Sequence, residues 1–331
     1  MAVLGAGSWG TALAILLARK GFQVRLWARR QELVTRLVET GENKAYLPGV
    51  KLLPGIKPTA DLGEAIAAAG LVVLSVPSHA VRLTARRIKP LLPEGVIVVN
   101  TAKGLELDSK KRLSEVLIEE GLRQIAVLSG PSHAEEVGRG LPTSVVVAAR
   151  DRYTAEYVQD IFMDATFRVY TNSDLVGVEF GGALKNTIAL ATGIADGLGL
   201  GDNARAALMT RGMAEIARLG VALGGKAMTF AGLSGIGDLI VTCTSMHSRN
   251  RRAGIQLGEG KTLAEVLAGM GMVVEGVRTT AAARDLARYH RIRMPITEEI
   301  YQVLYEGKAA RDCVAALMKR PRTHEVETVL W

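Results

Sequence analysis

The stretch Ala2-Val-Leu4-Gly5-Ala-Gly7-Ser-Trp-Gly10-Thr decides the fold of this chain. An apolar run before a Gly-x-Gly-x-x-Gly pattern, with a helical stretch after it, is typical of the first strand, turn and helix of a dinucleotide-binding domain. The glycines permit a tight turn close to a pyrophosphate, and the helix N-terminus presents free N–H groups to it. The strand before and the helix after disfavour the alternative, a glycine-rich turn without a ligand. We therefore predict that Gly5, Gly7 and Gly10 contact a dinucleotide.

The rest of the first half alternates β-branched runs with amphipathic stretches, the pattern of a parallel sheet with crossover helices. The predicted strands are residues 2–4, 23–27, 71–76, 96–100 and 125–128, with 143–149 and 166–170 extending the sheet at one edge. The predicted helices of the second half are 174–197, 202–223, 262–269, 276–290, 295–306 and 309–319. We therefore expect an α/β fold, with a doubly wound, mostly parallel sheet in residues 1–173 and an all-α domain in residues 174–331.

The composition limits the class of protein. With 331 residues, 48% hydrophobic and 22% charged, the chain has the length of about two globular domains, which excludes a disulfide-stapled miniprotein and a wholly disordered chain. Its net charge of +8 favours anionic partners without selecting one. Cys243 and Cys313 cannot form a disulfide framework, which indicates a reducing compartment. Aromatic residues make up only 5% and the histidines have no metal spacing, so we expect no nucleic-acid partner and no metal.

Two uncharged stretches raise the question of a membrane. Residues 1–18 are followed, and not preceded, by the charges of Arg19 and Lys20, which is the reverse of a signal peptide. Residues 65–81 are too short for a span and are interrupted by glycine and proline. We therefore expect a soluble, cytoplasmic protein without a membrane span.

The residues after the second predicted strand bear on the choice of cofactor. NAD-binding domains tend to place Asp or Glu there, whereas an Arg accommodates the 2′-phosphate of NADP. Here the chain reads Leu26-Trp-Ala-Arg29-Arg30, and the first carboxylate is Glu32. This favours NADPH over NADH and leaves the use of both cofactors open. Which of Arg29 and Arg30 meets the phosphate also stays open, as does the interpretation of either one as a solvated surface charge.

Polar loops follow three later strands of the predicted sheet, at residues 75–79, 100–104 and 129–133. Ligands of open α/β sheets bind beyond the carboxyl ends of the strands, so we expect these loops to line one crevice. Lys103 lies in the second loop, where a functional role and a solvated lysine are equally supported interpretations. We interpret His79 and His133 as structural residues.

A lysine in the helical half is the candidate proton donor. Gly181 and Gly182 precede Lys185 in one helical stretch, and glycines there cost on the order of 1 kcal/mol each relative to Ala, so something should approach this backbone closely. We interpret the glycine clusters at 5–10, 181–182 and 232–237 as places where the backbone approaches ligand. Lys185 is either desolvated in a cleft, with a pKa lowered towards proton transfer, or has an ammonium that reaches water. Asp238 is its candidate partner.

Ser248-Arg249-Asn250 opens another helical stretch. A hydroxyl, a guanidinium, an amide and free backbone N–H groups together suit a phosphate monoester. We interpret the following Arg251 and Arg252 as a solvated basic face. Glu275, at the start of a later helix, is either a capping carboxylate or a cofactor contact.

The motifs occur in a fixed order: GAGSWGTALA at 5–14, VPSHA at 76–80, NTAKGLE at 100–106, LSGPSHAEE at 128–136, GGALKN at 181–186, GLSGIGDLIVTCTS at 232–245, SRN at 248–250 and VEG at 274–276. As a set they closely resemble the bacterial NAD(P)-dependent glycerol-3-phosphate dehydrogenases. The resemblance runs from Met1 to about Pro321. It implies a Rossmann domain followed by a helical domain like that of the 6-phosphogluconate dehydrogenases, usually in a homodimer.

The resemblance also implies a set of site residues. Lys185 and Asp238 would be catalytic. The implied cofactor contacts, besides the three glycines, are Ser8, Trp9, Arg29 or Arg30, Lys103, Ala134, Arg249, Val273 and Glu275. The implied substrate contacts are Lys103, Gly130, Ser132, Lys185, Asp238, Ser248, Arg249 and Asn250.

The implied activity is the interconversion of dihydroxyacetone phosphate and sn-glycerol 3-phosphate, which supplies the backbone of phospholipids. In this hypothesis the nicotinamide gives a hydride to the ketone carbon while Lys185, as ammonium, protonates the oxygen. Asp238 holds Lys185 and favours its charged form, and Arg249 and Asn250 fix the phosphate. Two alternatives stay open. One is another hydroxyacid dehydrogenase of the same architecture, and the other is a non-catalytic dinucleotide sensor.

Overall fold

A computed structural model of the chain describes residues 1–322 and 324–325. Contacts within the chain divide it into two compact units. Unit 1 contains Met1–Ala102 and Leu113–Leu175, and unit 2 contains Lys103–Arg112 and the chain from Val176 onward. The division near residue 174 that the sequence suggests did not anticipate that the short segment Lys103–Arg112 groups with the helices. Its contacts, described with the site below, are the physical reason.

Unit 1 is built on an eight-stranded sheet. Its strands are β1 (Ala2–Leu4), β2 (Val24–Trp27), β3 (Ile56–Thr59), β4 (Leu71–Leu74), β5 (Ile97–Asn100), β6 (Ile125–Ser129), β7 (Thr143–Ala149) and β8 (Phe167–Asn172). Their spatial order is β3-β2-β1-β4-β5-β6-β7-β8, and all neighbours are parallel except the antiparallel pair β6 and β7. The predicted doubly wound, mostly parallel sheet is confirmed, with β7 and β8 extending one edge.

Both faces of the sheet are buried, as the alternation of the strand residues shows. Val3 and Val73 pack into one apolar cluster, whereas Leu4 and Leu74 pack into another on the opposite face. Helices cover these clusters, and they are α1 (Ser8–Arg19), α2 (Gln31–Thr40), α3 (Leu62–Ile66), α4 (Val81–Ile88), α5 (Leu113–Glu119), α6 (Ala134–Gly138) and α7 (Arg152–Phe162). The strand order reverses between β1 and β4, so unit 1 has the crevice at which such sheets bind ligands.

The edge strand β3 is absent from the sequence prediction. Its residues Ile56-Lys-Pro-Thr59 contain a charge and a proline, and they lack the apolar run by which the other strands were found. Proline is tolerated at the edge of a sheet because its missing N–H costs no ladder hydrogen bond there. Position in the sheet, and not local composition, makes this segment a strand.

Unit 2 is helical. Its helices are α8 (Leu175–Gly197), α9 (Gly201–Ala222), α10 (Ala227–Phe230), α11 (Asp238–Thr244), α12 (Arg249–Gly258), α13 (Leu263–Met270), α14 (Glu275–Tyr289), α15 (Pro295–Tyr305) and α16 (Ala310–Met318). A π-helical turn, Leu233–Gly237, leads into α11. The predicted helical domain is confirmed, although α10 and α11 had no counterpart in the sequence prediction.

Helices α8 and α12 cross at close range because each carries glycines four residues apart. A Cβ at Gly193 of α8 would lie 2.2 Å from the carbonyl oxygen of Arg251, and a Cβ at Gly254 of α12 would lie 2.3 Å from that of Leu190. Side chains at these positions would separate the two backbones. The crossing fixes the start of α12 against α8, which carries Lys185.

One stretch of the described chain, Ala227–Thr244, is long and apolar enough by composition to cross a membrane, with a mean hydropathy of 1.3. In the fold it is not one straight helix, since it comprises α10, the π-helical turn and α11. It also carries the buried carboxylate of Asp238. Its apolar character belongs to the packing of unit 2.

Candidate active site

The glycine turn after β1 is packed so tightly that two of its three glycines have no room for a side chain. Gly5 has φ +119°, and a Cβ there would lie 2.5 Å from the carbonyl oxygen of Ser75, which follows β4. A Cβ at Gly10 would lie 1.9 Å from the carbonyl oxygen of Gly5. A Cβ at Gly7 would meet no atom of residues 1–322 and 324–325 within 4 Å. The turn is therefore closed by its own backbone at Gly5 and Gly10 and open at Gly7, where α1 begins.

The side chains of this turn and of the loop after β2 lie in unit 1. Trp9 is partly buried, and its Nε1 has no hydrogen-bond partner among the described residues. Arg29 and Arg30 are both exposed, and an Arg30 Nη2 donates a hydrogen bond of 2.9 Å to the Tyr46 hydroxyl. The sequence reasoning did not single out Tyr46, which lies in a loop with no motif to mark it. Of the two arginines, Arg30 is thus held in one place by a neighbour.

The loop after β6 begins at the carboxyl edge of the sheet, like the loops after β1 and β4. Gly130 has φ +123°, and the Ser132 hydroxyl donates a 2.8 Å hydrogen bond to its carbonyl oxygen. Ala134 is buried at the start of α6. Gly130 and Ser132 therefore lie in the turn that leads to Ala134 at the start of α6.

Four residues of unit 2 form the buried cluster that we call the Lys185 cluster. They are Lys103, Lys185, Asp238 and Thr242. The Lys185 Nζ lies 2.5 Å from Asp238 Oδ1 and donates a 2.6 Å hydrogen bond to the Thr242 hydroxyl. The Lys103 Nζ lies 2.8 Å from the other carboxylate oxygen, Asp238 Oδ2. Lys185 is 5% exposed and Asp238 1%, so the desolvated interpretation of Lys185 is the correct one.

Burial and charge act in opposite directions on this cluster. Burial lowers the pKa of Lys185 to about 8; Asp238 opposes this shift, and the nearby Lys103 adds to it. For Asp238, burial raises the pKa, but the two ammonium groups outweigh it and hold the pKa below its ordinary value. An amine with a pKa of about 8, beside a carboxylate that stays ionised, can both give and take a proton at physiological pH.

The glycine of α8 explains how Asp238 reaches Lys185. A Cβ at Gly181, one turn before Lys185, would lie 2.6 Å from the carbonyl oxygen of Ser234 in the π-helical turn. A Cβ at Gly235 would lie 2.0 Å from the carbonyl oxygen of Phe230. The expectation that these two glycines mark the approach of a ligand is therefore wrong. They let the chain's own backbone come close, and this packing sets Asp238 at the start of α11.

Lys103 is positioned by unit 2 although it lies in the loop after β5, a strand of unit 1. Asn186 Nδ2 donates a 3.2 Å hydrogen bond to the Lys103 carbonyl oxygen. At the other end of the segment Lys103–Arg112, Arg112 Nη1 lies 2.6 Å from Glu179 Oε2 on α8. Both side chains of this pair are largely buried. Lys103 is therefore not a freely solvated lysine, since its ammonium is paired with Asp238 and only 19% of its side chain is exposed.

The start of α12 is fixed by an amide relay. The Ser248 hydroxyl caps the helix by accepting from the Arg251 N–H. Asn250 Nδ2 donates to Asn186 Oδ1 at 2.9 Å, and Asn250 Oδ1 accepts from the Gly276 N–H at 2.8 Å. The relay joins α8, α12 and the first turn of α14. It holds Ser248 and Asn250, buried, and Arg249, partly buried, at one helix N-terminus.

Of the other predicted residues, Val273 and Glu275 lie at the start of α14, and Arg251 and Arg252 lie in α12. Val273 is partly buried just before α14, and Glu275 is the first residue of that helix, whose N-cap is Val274 without a side-chain cap. Arg251 is not solvated as expected, because its Nε lies 2.8 Å from Asp196 Oδ2 and only 12% of its side chain is exposed. That interpretation is wrong because a carboxylate from the end of α8 covers it. Arg252 is partly buried, and its Nε has no hydrogen-bond partner in the part of the chain that the structure describes.

Comparison with known proteins identifies the family of the chain. The family model "NAD-dependent glycerol-3-phosphate dehydrogenase N-terminus" matches residues 1–155, and its C-terminus counterpart matches residues 174–315. A glycerol-3-phosphate dehydrogenase [NAD(P)+] of Moorella thermoacetica is 79% identical over all of this chain and 99% of its own length. The chain belongs to the NAD-dependent glycerol-3-phosphate dehydrogenase family.

Two further members show how widely this family resemblance extends. The glycerol-3-phosphate dehydrogenase [NAD(P)+] of Bacillus subtilis strain 168 is 53% identical, over 99% of this chain and 96% of its own. The crystal structure of the glycerol-3-phosphate dehydrogenase from Coxiella burnetii is 42% identical, superposes with a TM-score of 0.93, and covers 96% of this chain and 98% of that one. The resemblance named from the motifs is confirmed.

In this glycerol-3-phosphate dehydrogenase family member, the predicted residues fall into one set within each unit. Unit 1 holds Gly5, Gly7, Ser8, Trp9, Gly10, Arg29, Arg30, Gly130, Ser132 and Ala134. Unit 2 holds Lys103, Lys185, Asp238, Ser248, Arg249, Asn250, Val273 and Glu275. Within unit 2, Thr242 also contacts the Lys185 amine and was missed as a site residue. A signal was available, because Thr242 follows Asp238 by four residues on one helix face.

Proposed function

We propose that this chain interconverts dihydroxyacetone phosphate and sn-glycerol 3-phosphate with NAD(P) as its redox partner. The observation that carries the proposal is the Lys185 amine, buried and held between Asp238 and Thr242. A lysine of this kind needs a reason to be buried, since desolvating an ammonium is costly. Proton transfer to and from the oxygen of the substrate is the reason we assign to it.

Lys185 is the proton donor in ketone reduction and the acceptor in the reverse direction. With a pKa of about 8, Lys185 is mostly an ammonium at neutral pH. Because this pKa is below that of an ordinary lysine, the ammonium gives a proton to the developing alkoxide more readily. Asp238 favours the ammonium form and fixes its direction. Thr242 accepts from the same amine, so the Nζ keeps one hydrogen free of these two acceptors for the substrate.

The phosphate of the substrate is assigned to the N-terminus of α12. Ser248, Arg249 and Asn250 bring a hydroxyl, a guanidinium and an amide to free backbone N–H groups, which together favour a dianion. Lys103, Gly130 and Ser132 complete the substrate set that we propose. Binding energy from this phosphate would hold the reacting carbon in place.

The glycine turn of unit 1 fits a dinucleotide, because the space over Gly7 is open where a pyrophosphate would lie against α1. When bound, the nicotinamide supplies the hydride. We assign cofactor contacts to Gly5, Gly7, Ser8, Trp9, Gly10, Lys103, Ala134, Arg249, Val273 and Glu275. NADPH is the favoured cofactor, with Arg30, held by Tyr46, as the contact for the 2′-phosphate and Arg29 beside it.

The wider setting follows from the same proposal. Residues 1–173 would bind the cofactor and residues 174–331 would bind and convert the substrate. We propose a cytoplasmic homodimer without a membrane span, which supplies sn-glycerol 3-phosphate for phospholipid synthesis. A hydroxyacid dehydrogenase or a dinucleotide sensor remains the alternative that the test must exclude.

The test follows the absorbance of NADPH and NADH separately with dihydroxyacetone phosphate. We expect oxidation of both, faster at low concentration for NADPH. Oxidation of neither cofactor would refute the enzyme. Oxidation with a 2-keto acid, unaffected by glycerol 3-phosphate as a competitor, would favour the hydroxyacid dehydrogenase instead.

A further inference from the structure

An apolar cavity of about 260 Å³ lies within unit 2, and none of the Lys185 cluster lines it. Its walls come from α8, α9, α15 and α16, and they include Ala191, Ile194, Leu208, Ile300 and Leu317. A cavity of this volume lies just below the usual range for small-molecule sites, roughly 300–1,000 Å³. It has no role in the function proposed above.

A second cavity, of about 270 Å³, adjoins the first and shares Arg293 and Arg320 with it. This second cavity is basic. Its other arginines, Arg284 and Arg288, both contact Glu298, at 3.4 and 2.7 Å. Their charges are therefore partly balanced within the protein, whereas those at the junction of the two cavities are not.

Arg293 and Arg320 are exposed, and neither guanidinium has a hydrogen-bond or carboxylate partner within residues 1–322 and 324–325. Two unpaired guanidinium groups at one place carry two positive charges. A phosphate monoester carries about −1.5 to −2 at pH 7 and accepts paired hydrogen bonds from a guanidinium. The junction therefore matches a phosphate monoester better than a carboxylate, which carries a single charge.

The mouth of the first cavity is apolar as well. Leu200 and Met318 line it, and they are 39% and 82% exposed. Exposed large apolar side chains beside unpaired cations form the kind of surface that an anionic amphiphile needs.

The wall of the first cavity contains one buried acid, Glu215, which is satisfied within the protein. Both oxygens of the Glu215 carboxylate are used inside the protein, since they accept from the N–H groups of Ile296 at 2.6 Å and Thr297 at 3.1 Å. Glu215 therefore has no need of an external cation.

We propose that the two cavities form one binding site for a single-chain amphiphile that ends in a phosphate monoester. The chain occupies the apolar cavity, and the phosphate lies at Arg293 and Arg320. No residue of the proposed catalytic set takes part, so this site is separate from the dehydrogenase activity.

Calorimetric titration of the full chain with alkyl phosphates below their micelle concentration tests the site directly. We expect saturable binding of one molecule per chain, tighter by about threefold to fourfold for each methylene from octyl to decyl phosphate, until the cavity is filled. Dodecanoate should bind more weakly than dodecyl phosphate. The neutral dodecyl maltoside should bind at least tenfold more weakly. Equal affinity for the maltoside and the phosphate, or no saturable binding, would overturn the proposal.

Variants separate the head group from the chain. In Arg293→Ala/Arg320→Ala the affinity for dodecyl phosphate should fall at least tenfold, while the weak binding of dodecyl maltoside stays unchanged. Arg322→Ala removes an exposed arginine that lines neither cavity and should bind as the parent chain does. Unchanged affinity in the double variant would refute the assigned head-group site. Turnover plays no part in these measurements, so their result is independent of the proposed activity.

Two other occupants of the cavity would also overturn the proposal, and each has its own measurement. If Met318→Glu, a change at an exposed position, converts a dimer to a monomer in sedimentation, a second copy of the chain covers the cavity. If a chain ending at Glu325 binds dodecyl phosphate at least tenfold more tightly than the full chain, the C-terminal segment competes for the cavity. An unchanged oligomeric state and unchanged affinity support the amphiphile site.

Discussion

The glycine turn of unit 1 and the Lys185 cluster of unit 2 present their functional groups in opposite ways. In the turn, the groups are backbone N–H donors, and the residues that shape it lie within Gly5–Gly10. In the cluster, the groups are charged side chains, and Lys185 and Asp238 are 53 residues apart. Steric contact restricts which residues the turn can contain, since a Cβ at Gly10 would lie 1.9 Å from the Gly5 oxygen. Desolvation controls the protonation of the cluster, since burial lowers the pKa of Lys185.

This difference predicts whether a substitution in each region should first lower stability or first lower activity. A change in a sterically closed turn should appear first as lost stability, because the backbone must move. A change in the buried cluster should appear first as lost chemistry, because the surrounding helices pack through other residues. The predictions below test that division.

The largest effect is expected from Lys185→Ala. Without the amine no group in the cluster can protonate the substrate oxygen in the same way, so kcat should fall by about 10²- to 10⁴-fold. The fold should remain, because the variant removes a desolvated charge and leaves Asp238 paired with Lys103. Turnover by NADPH absorbance and thermal unfolding measure the two effects. The exposed Lys261→Ala is the control, and near-normal turnover of Lys185→Ala would refute the assignment.

The two glycines of the turn should respond differently to the same added methyl group. Gly10→Ala forces a Cβ onto the Gly5 oxygen and should destabilise the protein by about 2–4 kcal/mol. Gly7→Ala meets no atom of the described residues within 4 Å, so its unfolding free energy should fall by at most about 1 kcal/mol, the cost of Ala in place of Gly at the N-cap of α1. Its affinity for NADPH should nonetheless fall about tenfold or more, because the methyl group enters the space assigned to the pyrophosphate.

Urea unfolding and fluorescence titration with NADPH separate these outcomes. Normal NADPH binding by Gly7→Ala would show that the pyrophosphate does not lie over the turn. Normal stability of Gly10→Ala would show that steric closure does not govern this region.

A smaller effect is expected for cofactor choice. Arg30→Ala should lower the ratio of kcat/KM for NADPH to that for NADH by about 10- to 100-fold, since a charge-assisted contact contributes roughly 1.5–3 kcal/mol. Arg29→Ala should have a smaller effect, because no Tyr46 hydroxyl holds its guanidinium. Tyr46→Phe removes that hydroxyl and should reproduce part of the Arg30 effect. A larger loss in Arg29→Ala would reverse the assignment of the two arginines.

The smallest effect is a displacement of the pH profile. Because the amine must be protonated to donate, kcat/KM for ketone reduction should fall as the pH rises through about 8, and the oxidation of glycerol 3-phosphate should rise there. Lys103→Gln removes a positive neighbour that lowers the pKa of Lys185, so the descending limb should move to higher pH by less than about one unit. Profiles from pH 6.5 to 9.5 measure this displacement. A limb that moves to lower pH would contradict the arrangement of charges.

The local sequence determined the elements that depend on near neighbours. The turn at Gly5–Gly10, the buried strands around β4 and the long helices α8 and α9 follow from glycine spacing, apolar runs and helical periodicity, which the fold reproduces to within a few residues. The edge strand β3 has no such run and was missed. The family resemblance likewise rests on short motifs and was confirmed by the comparisons.

Only the tertiary structure decided what depends on burial. The sequence left open whether Lys103 and Lys185 are solvated surface lysines, and their shared ion-pair partner Asp238 shows that they are not. It placed Arg251 in water, whereas Asp196 covers it. It assigned Gly181 to a ligand, whereas the backbone of Ser234 lies there. The physical reason is that the solvation of a side chain and the contact between two backbones depend on segments that are distant in the chain. A local pattern of residues contains no information about those segments.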